Sequence, residues 1–236
     1  MADEVLIIKN TPREGPGLLE EVLIEKAITY TILEWDKKQT LPSLKDYKAL
    51  IVLGGPDSAN DDNDKIKNEL ALVRQALNAE MPYLGICLGL QILVKAAGGK
   101  VGKSPVKEIG LRAPDNQYFQ VSLTQKGTQD VFFNGLDASL PVFHLHGEAV
   151  EITDDMELLA EGKYCRNQIV KVGQNAYGTQ GHFEVTAAML EYWIKEDPDL
   201  TTLDTELLKK DFASIQDLYT QTGRQLFENF LKIAGF

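Results

Sequence analysis

The two cysteines of the 236-residue chain have very different surroundings. Cys87 lies in the stretch YLGICLGLQ, where Gly85 and Gly89 flank it at two-residue spacing. An apolar, strand-like run ends at this cysteine and a helical run begins there. This is the pattern of a nucleophile elbow, a sharp turn that presents one side chain above a sheet and has no room for a Cβ beside it. The amides that open the following helix favour a thiolate over a thiol, so we predict that Cys87 is a nucleophile.

The alternative for any free cysteine is that it packs as a small buried hydrophobe. That interpretation suits Cys165, which lies in GKYCRNQ without flanking glycines and without a helix start after it. We therefore assign Cys165 no chemical role and interpret it as structural. Two cysteines are also too few for a disulfide framework.

A thiolate nucleophile needs a group that carries protons, and the chain has only three histidines. In GTQGHFEV, His182 and Glu184 are two residues apart at the end of a strand-like run. In an extended chain such residues point to the same face. The glutamate can accept a hydrogen bond from one imidazole nitrogen and leave the other nitrogen facing the thiol. We predict a catalytic set of Cys87, His182 and Glu184.

The stretch LGGPDS (53–58) ends another apolar run with two glycines. A backbone N–H of this loop could point into the same crevice as the amide of Leu88, and together they would stabilise an oxyanion. Taken alone, the stretch is more simply interpreted as a Gly-Gly-Pro turn.

The other two histidines, His144 and His146, form an H-x-H pair that could bind a metal ion. Zinc sites need three or four ligands, and no cysteine and no third suitably spaced ligand accompany this pair. We therefore predict no metal site, and we interpret His144 as a structural histidine with satisfied hydrogen bonds.

The first hundred residues alternate continuous apolar runs with amphipathic runs, which predicts a parallel sheet covered by helices on both faces. Ligands bind beyond the carboxyl ends of the strands in such a sheet, which is where Cys87 and the 53–58 loop would lie. Short runs between Gly, Asn, Asp and Pro turns over 108–183 predict an antiparallel portion. The tail from about Thr186 has helical spacing. The predicted strands are 4–10, 29–35, 48–55 and 81–87, and the predicted helices are 17–27, 64–79 and 88–99.

The chain carries 35 acidic and 24 basic residues, a formal net charge of −11 at pH 7. This balance argues against nucleic acid or an anionic membrane as the main partner, because both require a basic surface. The opening MADEVLIIKN is acidic where a signal peptide would be basic, and no stretch is long and apolar enough to span a membrane. We expect a cytoplasmic protein without a cofactor.

The stretches VLGGPDSAND, YLGICLGLQILVKAAGGKV, EIGL, FHLHGE and NQIVKVGQNAYGTQGHFEVT occur in an order that resembles the class I glutamine amidotransferase domain, the triad type, and its stand-alone GMP synthase-like members. The resemblance covers nearly all of residues 1–186. It implies a flavodoxin-like α/β fold: an open, mostly parallel sheet with helices on both faces, an antiparallel strand portion and a C-terminal helical segment. We expect that segment, residues 187–236, to pack on the same domain.

The same resemblance implies that Cys87, His182 and Glu184 form a triad that attacks a γ-carboxamide. It also implies substrate and oxyanion contacts by a further set of residues: Gly55, Leu88, Gln91, Leu145, His146 and Gly147. The sequence departs from the family pattern Q-F-H-P-E, because Gly181 stands for the phenylalanine and Phe183 for the proline. After Gly89 it has Leu90, where many relatives have a polar residue.

The resulting hypothesis is a hydrolase that cleaves the γ-amide of glutamine through a cysteine thioester and releases ammonia to solvent or to a separate synthetase subunit. One alternative is a γ-glutamyl peptidase that acts on γ-glutamyl conjugates and needs no partner. Another is a non-catalytic, amidotransferase-like regulatory subunit that uses its C-terminal helices as an interface.

Overall fold

The computed structural model describes residues 4–35 and 41–236, and over these ranges it contains eleven strands and five α-helices. Residues 1–3, which open the stretch compared with a signal peptide, lie outside them. The strands are β1 (Glu4–Lys9), β2 (Thr29–Glu34), β3 (Ala49–Val52), β4 (Tyr83–Ile86), β5 (Lys100–Gly110), β6 (Gln120–Leu123), β7 (Ser139–Pro141), β8 (His144–Glu151), β9 (Met156–Gly162), β10 (Asn167–Val172) and β11 (Ala176–Thr179). The helices are α1 (Leu18–Glu25), α2 (Asp64–Asn78), α3 (Leu88–Ala96), α4 (Ala187–Glu196) and α5 (Thr205–Ile233).

In these ranges the main sheet has the order β2-β1-β3-β4-β11-β10-β9-β6-β7. The strands from β2 to β11 run parallel to one another, and the remaining strands add antiparallel pairings. The central strands β3 and β4 are buried at every residue, as expected for a sheet covered on both faces. The predicted α/β fold with an antiparallel portion is confirmed.

The order of the central strands explains how distant residues come together. The strands β4 and β11 are parallel neighbours, so their carboxyl ends lie at the same edge of the sheet. Cys87 follows β4 directly, and His182 comes three residues after the end of β11. The backbone N–H of Cys87 donates to the carbonyl oxygen of Thr179 at 2.7 Å, which ties the two strand ends together.

A second, two-stranded sheet pairs β5 with β8 in antiparallel fashion. The pairing is interrupted between Lys103 and Glu108, and beyond the interruption Glu108 lies opposite His146. His144 is two residues from His146 on the same strand, so both rings point to one face. This small sheet therefore brings an acidic side chain to the H-x-H pair.

The C-terminal tail, for which the sequence predicted helical structure, forms α4 and one continuous 29-residue helix, α5. Side chains from α5, among them Phe212, Leu226 and Phe230, belong to the same buried cluster as the apolar face of α1 and Val5 and Ile7 of β1. The domain boundary at residue 186 stays a prediction. None of the helices in the described residues combines the length and apolar character that crossing a bilayer demands.

The helix α5 lies directly against the segment that holds His182. A Cβ built on Gly223, in the middle of α5, would lie 2.1 Å from the carbonyl oxygen of Phe183. One turn earlier, the Tyr219 hydroxyl donates to the carbonyl oxygen of His182 at 2.9 Å and accepts from the N–H of Val185 at 3.3 Å. The tail thus supports the backbone around His182 from one side.

We expect Gly223→Ala to destabilise the protein, although alanine is the better helix former by about 1 kcal/mol. The added methyl group must displace the Phe183 carbonyl or shift α5, and overpacking of this kind costs on the order of 1–3 kcal/mol. Urea unfolding measures the change in the free energy of unfolding. Gly102→Ala is the matched control, because a Cβ there meets nothing within 4 Å. Equal stability of the two variants would contradict the proposed packing constraint.

Candidate active site

Cys87 occupies the turn between β4 and α3 in a strained backbone conformation, with φ 51° and ψ −102°. Cys87 occupies the N-cap position of α3, but its side chain makes no capping hydrogen bond. The thiol is therefore not used to cap the helix. A Cβ on Gly85 would lie 2.4 Å from the carbonyl of Gly89, and a Cβ on Gly89 would lie 2.1 Å from the carbonyl oxygen of Val52. Both glycines are therefore required by close backbone contacts, as the elbow pattern predicted.

His182 and Glu184 lie together beneath the surface, 1% and 2% exposed. Nδ1 of His182 lies 2.6 Å from Oε1 of Glu184, and Oε2 of Glu184 accepts the backbone N–H of Phe183 at 2.9 Å. The imidazole also stands edge-on to Trp193, with ring centroids 5.1 Å apart. The carboxylate thus holds one ring nitrogen, and Nε2 of His182 has no hydrogen-bond partner among the described residues.

The charge state of His182 follows from its neighbours. Burial lowers the pKa of His182, but the Glu184 carboxylate and then the Cys87 thiol outweigh burial and raise it well above its ordinary value of 6.5. Cys87 and His182 both follow the carboxyl ends of the neighbouring parallel strands β4 and β11. The sulfur also lies 3.6 Å from Nε2 of Gln180 and 3.9 Å from the carbonyl oxygen of Leu145. An imidazolium beside a thiol favours the thiolate.

A cavity of about 420 Å³ opens above Cys87. Five of the residues that the sequence assigned to substrate or oxyanion contacts line it with Cys87: Gly55, Gln91, Leu145, His146 and Gly147. His182 and Glu184 lie behind the cysteine, outside the lining. The predicted nucleophile and five of the six predicted contact residues therefore surround one cavity, and Leu88 is the exception.

The two residues that were predicted to supply oxyanion donors, Gly55 and Leu88, are close to each other. A Cβ on Gly55 would be 3.2 Å from the side chain of Leu88, so the loop after β3 touches the start of α3. Leu88 is the first residue of α3, and its N–H therefore has no acceptor within the helix. Gly55 lines the cavity, whereas Leu88 is fully buried and is not among the lining residues, so a role for its N–H as an oxyanion donor stays a prediction.

Sequence reasoning missed a charged group at the far wall of the cavity. The guanidinium of Arg13 lies 2.7 Å from the carboxylate of Asp197, and the backbone oxygen of Arg13 accepts from the indole of Trp193 at 2.8 Å. Asp197 follows α4, so the C-terminal segment forms part of the pocket wall. These residues have no local signal, because the pair joins positions 184 residues apart in the chain.

Glu14 is a second missed residue, and it also lines the cavity. It is buried, and burial raises its pKa, although His182 and Arg13 oppose that rise. Its carboxylate packs where a side chain on Gly54 would be, because a Cβ there would meet Oε2 of Glu14 at 2.1 Å. This close approach explains why a glycine stands at position 54.

The surrounding structure accommodates both departures from the Q-F-H-P-E pattern, Gly181 and Phe183. A Cβ on Gly181 would lie 2.2 Å from the side chain of Val142 and 3.0 Å from the ring of His144, so these residues fill the space beside it. Phe183 is buried, and its N–H donates to Glu184, a hydrogen bond that a proline could not make. Leu90, the third departure, is fully buried in the apolar cluster that contains Val94 and Val170.

The expectations for the remaining histidine and cysteine residues had different outcomes. Cys165 is buried, and burial raises the pKa of its thiol to about 11, which agrees with an inert structural cysteine. The expectation that His144 is satisfied was wrong, because its Nδ1 is buried without a hydrogen-bond partner among the described residues. Glu108 also stands close to both His144 and His146, where the sequence showed no third ligand.

The sequence model of the family "Glutamine amidotransferase class-I" matches residues 17–192 of this chain. A glutamine amidotransferase-like protein of Salmonella typhimurium, YfeJ, is 33% identical over 155 residues, which cover 64% of this chain and 62% of the relative. A subunit of the glutamine-hydrolysing GMP synthase of Methanococcus maripaludis is 33% identical over 141 residues, 59% of this chain and 65% of the relative. The matches thus span slightly less than two thirds of these relatives' lengths.

Solved structures agree over the whole chain. The glutamine amido transferase of Methylobacillus flagellatus superposes with a TM-score of 0.87 at 26% identity and covers 99% of this chain and 96% of its own. A glutamine amidotransferase of Thermotoga maritima gives a TM-score of 0.86, also at 26% identity, over 98% of this chain and 99% of its own. The chain therefore belongs to the class I glutamine amidotransferase family.

Proposed function

We propose that the protein hydrolyses the γ-amide of glutamine, with Cys87 as nucleophile, His182 as acid and base, and Glu184 as the carboxylate that orients the ring. The observation that supports this most directly is the buried 2.6 Å contact between His182 and Glu184 immediately behind a cysteine held in a strained elbow. An imidazole that is fixed at one nitrogen and open at the other is the arrangement that a thiol nucleophile requires.

The proposed reaction has two stages. The thiolate of Cys87 attacks the γ-carbonyl carbon, and the oxyanion that forms accepts hydrogen bonds from the amides of Gly55 and Leu88. His182 donates its proton to the departing nitrogen, the C–N bond breaks, and ammonia leaves behind a γ-glutamyl thioester. His182 then takes a proton from water as the water attacks the thioester, and glutamate and the thiolate are released.

A γ-glutamyl peptidase is the second candidate function. The size of the cavity supports it, because a γ-glutamyl conjugate is larger than glutamine. The cavity volume of about 420 Å³ lies within the range of roughly 300–1,000 Å³ that accommodates drug-sized ligands. The lining continues from Cys87 across to Asp197 and Asp199, so space remains beyond the nucleophile for a group attached to the amide nitrogen.

The names of the relatives suggest where ammonia could go. The Methanococcus protein is named as one subunit of a glutamine-hydrolysing GMP synthase, a name that implies a second subunit. By analogy, this chain would supply ammonia to a separate synthetase subunit or release it to solvent. A peptidase would need no such partner.

Removal of the Cys87 thiol tests the proposed nucleophile. We expect Cys87→Ala to reduce ammonia release from glutamine by at least about 10³-fold, because removal of a catalytic nucleophile leaves only binding and oxyanion stabilisation. Free ammonia and free glutamate are both measured, with glutamine and with a γ-glutamyl dipeptide as substrates. The ratio of the two turnover numbers separates an amidotransferase-type hydrolase from a peptidase.

Cys165→Ala is the matched control, since it removes the other buried thiol, and we expect it to retain activity. Ammonia release by Cys87→Ala at the parent rate would contradict the proposal. If neither substrate reacts, a γ-glutamyl diazoketone tests the non-catalytic alternative, because a functional site would still become labelled at Cys87.

The role of Glu184 can be tested through the charge of His182. Glu184 is the main group that raises the pKa of His182 against burial, so Glu184→Gln should lower that pKa and reduce kcat by roughly 10²–10⁴-fold. An NMR titration of the imidazole measures the pKa, and the chain's three histidines keep the spectrum simple. The exposed Glu191→Gln is the control. Unchanged titration of His182 in Glu184→Gln would show that the carboxylate does not set its charge.

The same pair makes a prediction about stability and pH. Because the pKa of His182 is raised on folding, its contribution to stability is fully present below the ordinary value of 6.5 and is lost as the pH rises through the folded-state pKa. The difference in unfolding free energy between the parent and Glu184→Gln should therefore shrink with rising pH. Urea unfolding across this range measures it, and a difference that grows with pH would contradict the assignment.

A further inference from the structure

Glu108, His144 and His146 form a buried cluster on the two-stranded sheet, and the proposed hydrolysis does not use it as a unit. Glu108 lies on β5 opposite His146 on β8, and His144 is two residues along the same strand. The three residues are 1%, 1% and 5% exposed, respectively. One potential ligand atom from each side chain lies within 4.8 Å of the other two.

The distances between these three atoms are compatible with binding of one metal ion. Oε2 of Glu108 lies 2.9 Å from Nε2 of His146 and 3.9 Å from Nε2 of His144. Tetrahedral zinc binds histidine nitrogen and carboxylate oxygen at about 2.0–2.2 Å, which places neighbouring ligand atoms roughly 3.3 Å apart. These two distances lie on either side of that value, and every pair of ligand atoms lies within 4.8 Å, so side-chain rotations would have to bring the three atoms to equal spacing around an ion.

Hydrogen bonding fixes how His146 faces the cluster. Its Nδ1 lies 2.9 Å from the carbonyl oxygen of Glu148, which can only accept, so Nδ1 carries the hydrogen. In the neutral ring, the lone pair of Nε2 then points at Oε2 of Glu108 at 2.9 Å, and either a proton or a metal ion between the two atoms relieves the repulsion. Metal-binding histidines characteristically donate their other N–H to a backbone carbonyl in this way.

The other two groups are also suitably placed. The side-chain amide of Gln168 donates to Oε2 of Glu108 at 3.0 Å and orients the carboxylate. His144 is 1% exposed, and its Nε2 lies 3.9 Å from the same carboxylate oxygen. Its Nδ1 has no hydrogen-bond partner among the described residues, so no hydrogen bond at that nitrogen fixes its tautomer.

We propose that Glu108, His144 and His146 bind one divalent transition-metal ion, zinc by the nature of the ligands, with a water molecule as the fourth ligand. A His₂Glu set with one open position is a known zinc arrangement. The ligands come from two paired strands, so the ion would crosslink β5 to β8.

The position of the site gives the ion a structural effect on the substrate cavity. His146 lines the cavity above Cys87, whereas Glu108 lines a second cavity of about 350 Å³ on the other side. The ion would therefore lie in the wall between the two cavities, and the second cavity offers a route of entry. By holding His146, it would also steady the adjacent Leu145, whose carbonyl oxygen is near the Cys87 sulfur.

Metal binding is tested on the full chain with Cys87→Ala as background, because a thiol in the cavity would itself bind zinc. The protein is stripped with a chelator and titrated with ZnCl₂ by calorimetry, and with CoCl₂ by visible absorption. We expect one ion per chain, a tetrahedral cobalt spectrum and a higher unfolding temperature with zinc. Adding Glu108→Gln or His144→Ala should weaken binding by at least about tenfold.

Adding His182→Ala instead is the matched control, since it removes a histidine that is equally buried but outside the cluster, and zinc affinity should not change. Circular dichroism checks that each variant is folded. Glu108→Gln keeps the shape of the side chain, so it still tests the proposal if His144→Ala does not fold. Absence of saturable zinc binding would overturn the proposal and leave a Glu108–His146 ion pair only. Binding that Glu108→Gln leaves unchanged would also overturn it.

Discussion

The arrangement of the whole site depends on one buried interaction, the contact between the His182 imidazole and the Glu184 carboxylate. A buried carboxylate is costly unless hydrogen bonds and an opposite charge surround it. Glu184 has both kinds of partner. The Phe183 N–H donates to its Oε2, and Nδ1 of the His182 ring contacts its Oε1. The backbone of this segment is in turn fixed by the N–H of Leu18, which donates to the carbonyl of Glu184, and by Tyr219 of α5. The first and last helices of the chain thus hold one short loop.

The elbow imposes the complementary constraint on the other side of the site. A non-glycine residue with positive φ is strained, and it persists only where its surroundings determine it. Here the start of α3 packs so closely against β3 and β4 that only glycine fits at positions 85 and 89. The parallel pairing of β4 with β11 then sets the distance between Cys87 and His182. Sheet register, more than any local sequence feature, is what brings the nucleophile and the histidine together.

The sequence predicted the elements whose signals are local. Continuous apolar runs located the central strands, and the glycines around Cys87 and the spacing of His182 and Glu184 indicated the reactive groups. The sequence did not indicate Arg13, Glu14 and Asp197, because their positions depend on contacts between segments that are distant in the chain. The expectation that H-x-H has no third ligand failed for the same reason, since Glu108 reaches the pair across a strand pairing. The spacing also predicted a helical tail, but not that α5 runs unbroken through Gly223, where the helix lies against the Phe183 carbonyl.

The departures at positions 181 and 183 show how a family pattern can change without loss of geometry. A side chain at position 181 would collide with Val142, 2.2 Å from its Cβ, and would also crowd the His144 ring at 3.0 Å. Glycine at 181 therefore fits the space that Val142 and His144 leave. A proline at 183 would restrict the backbone beside His182, but it could not donate to Glu184. The phenylalanine replaces that covalent restriction with a hydrogen bond to the carboxylate, so the His182–Glu184 contact is held by the chain's own N–H.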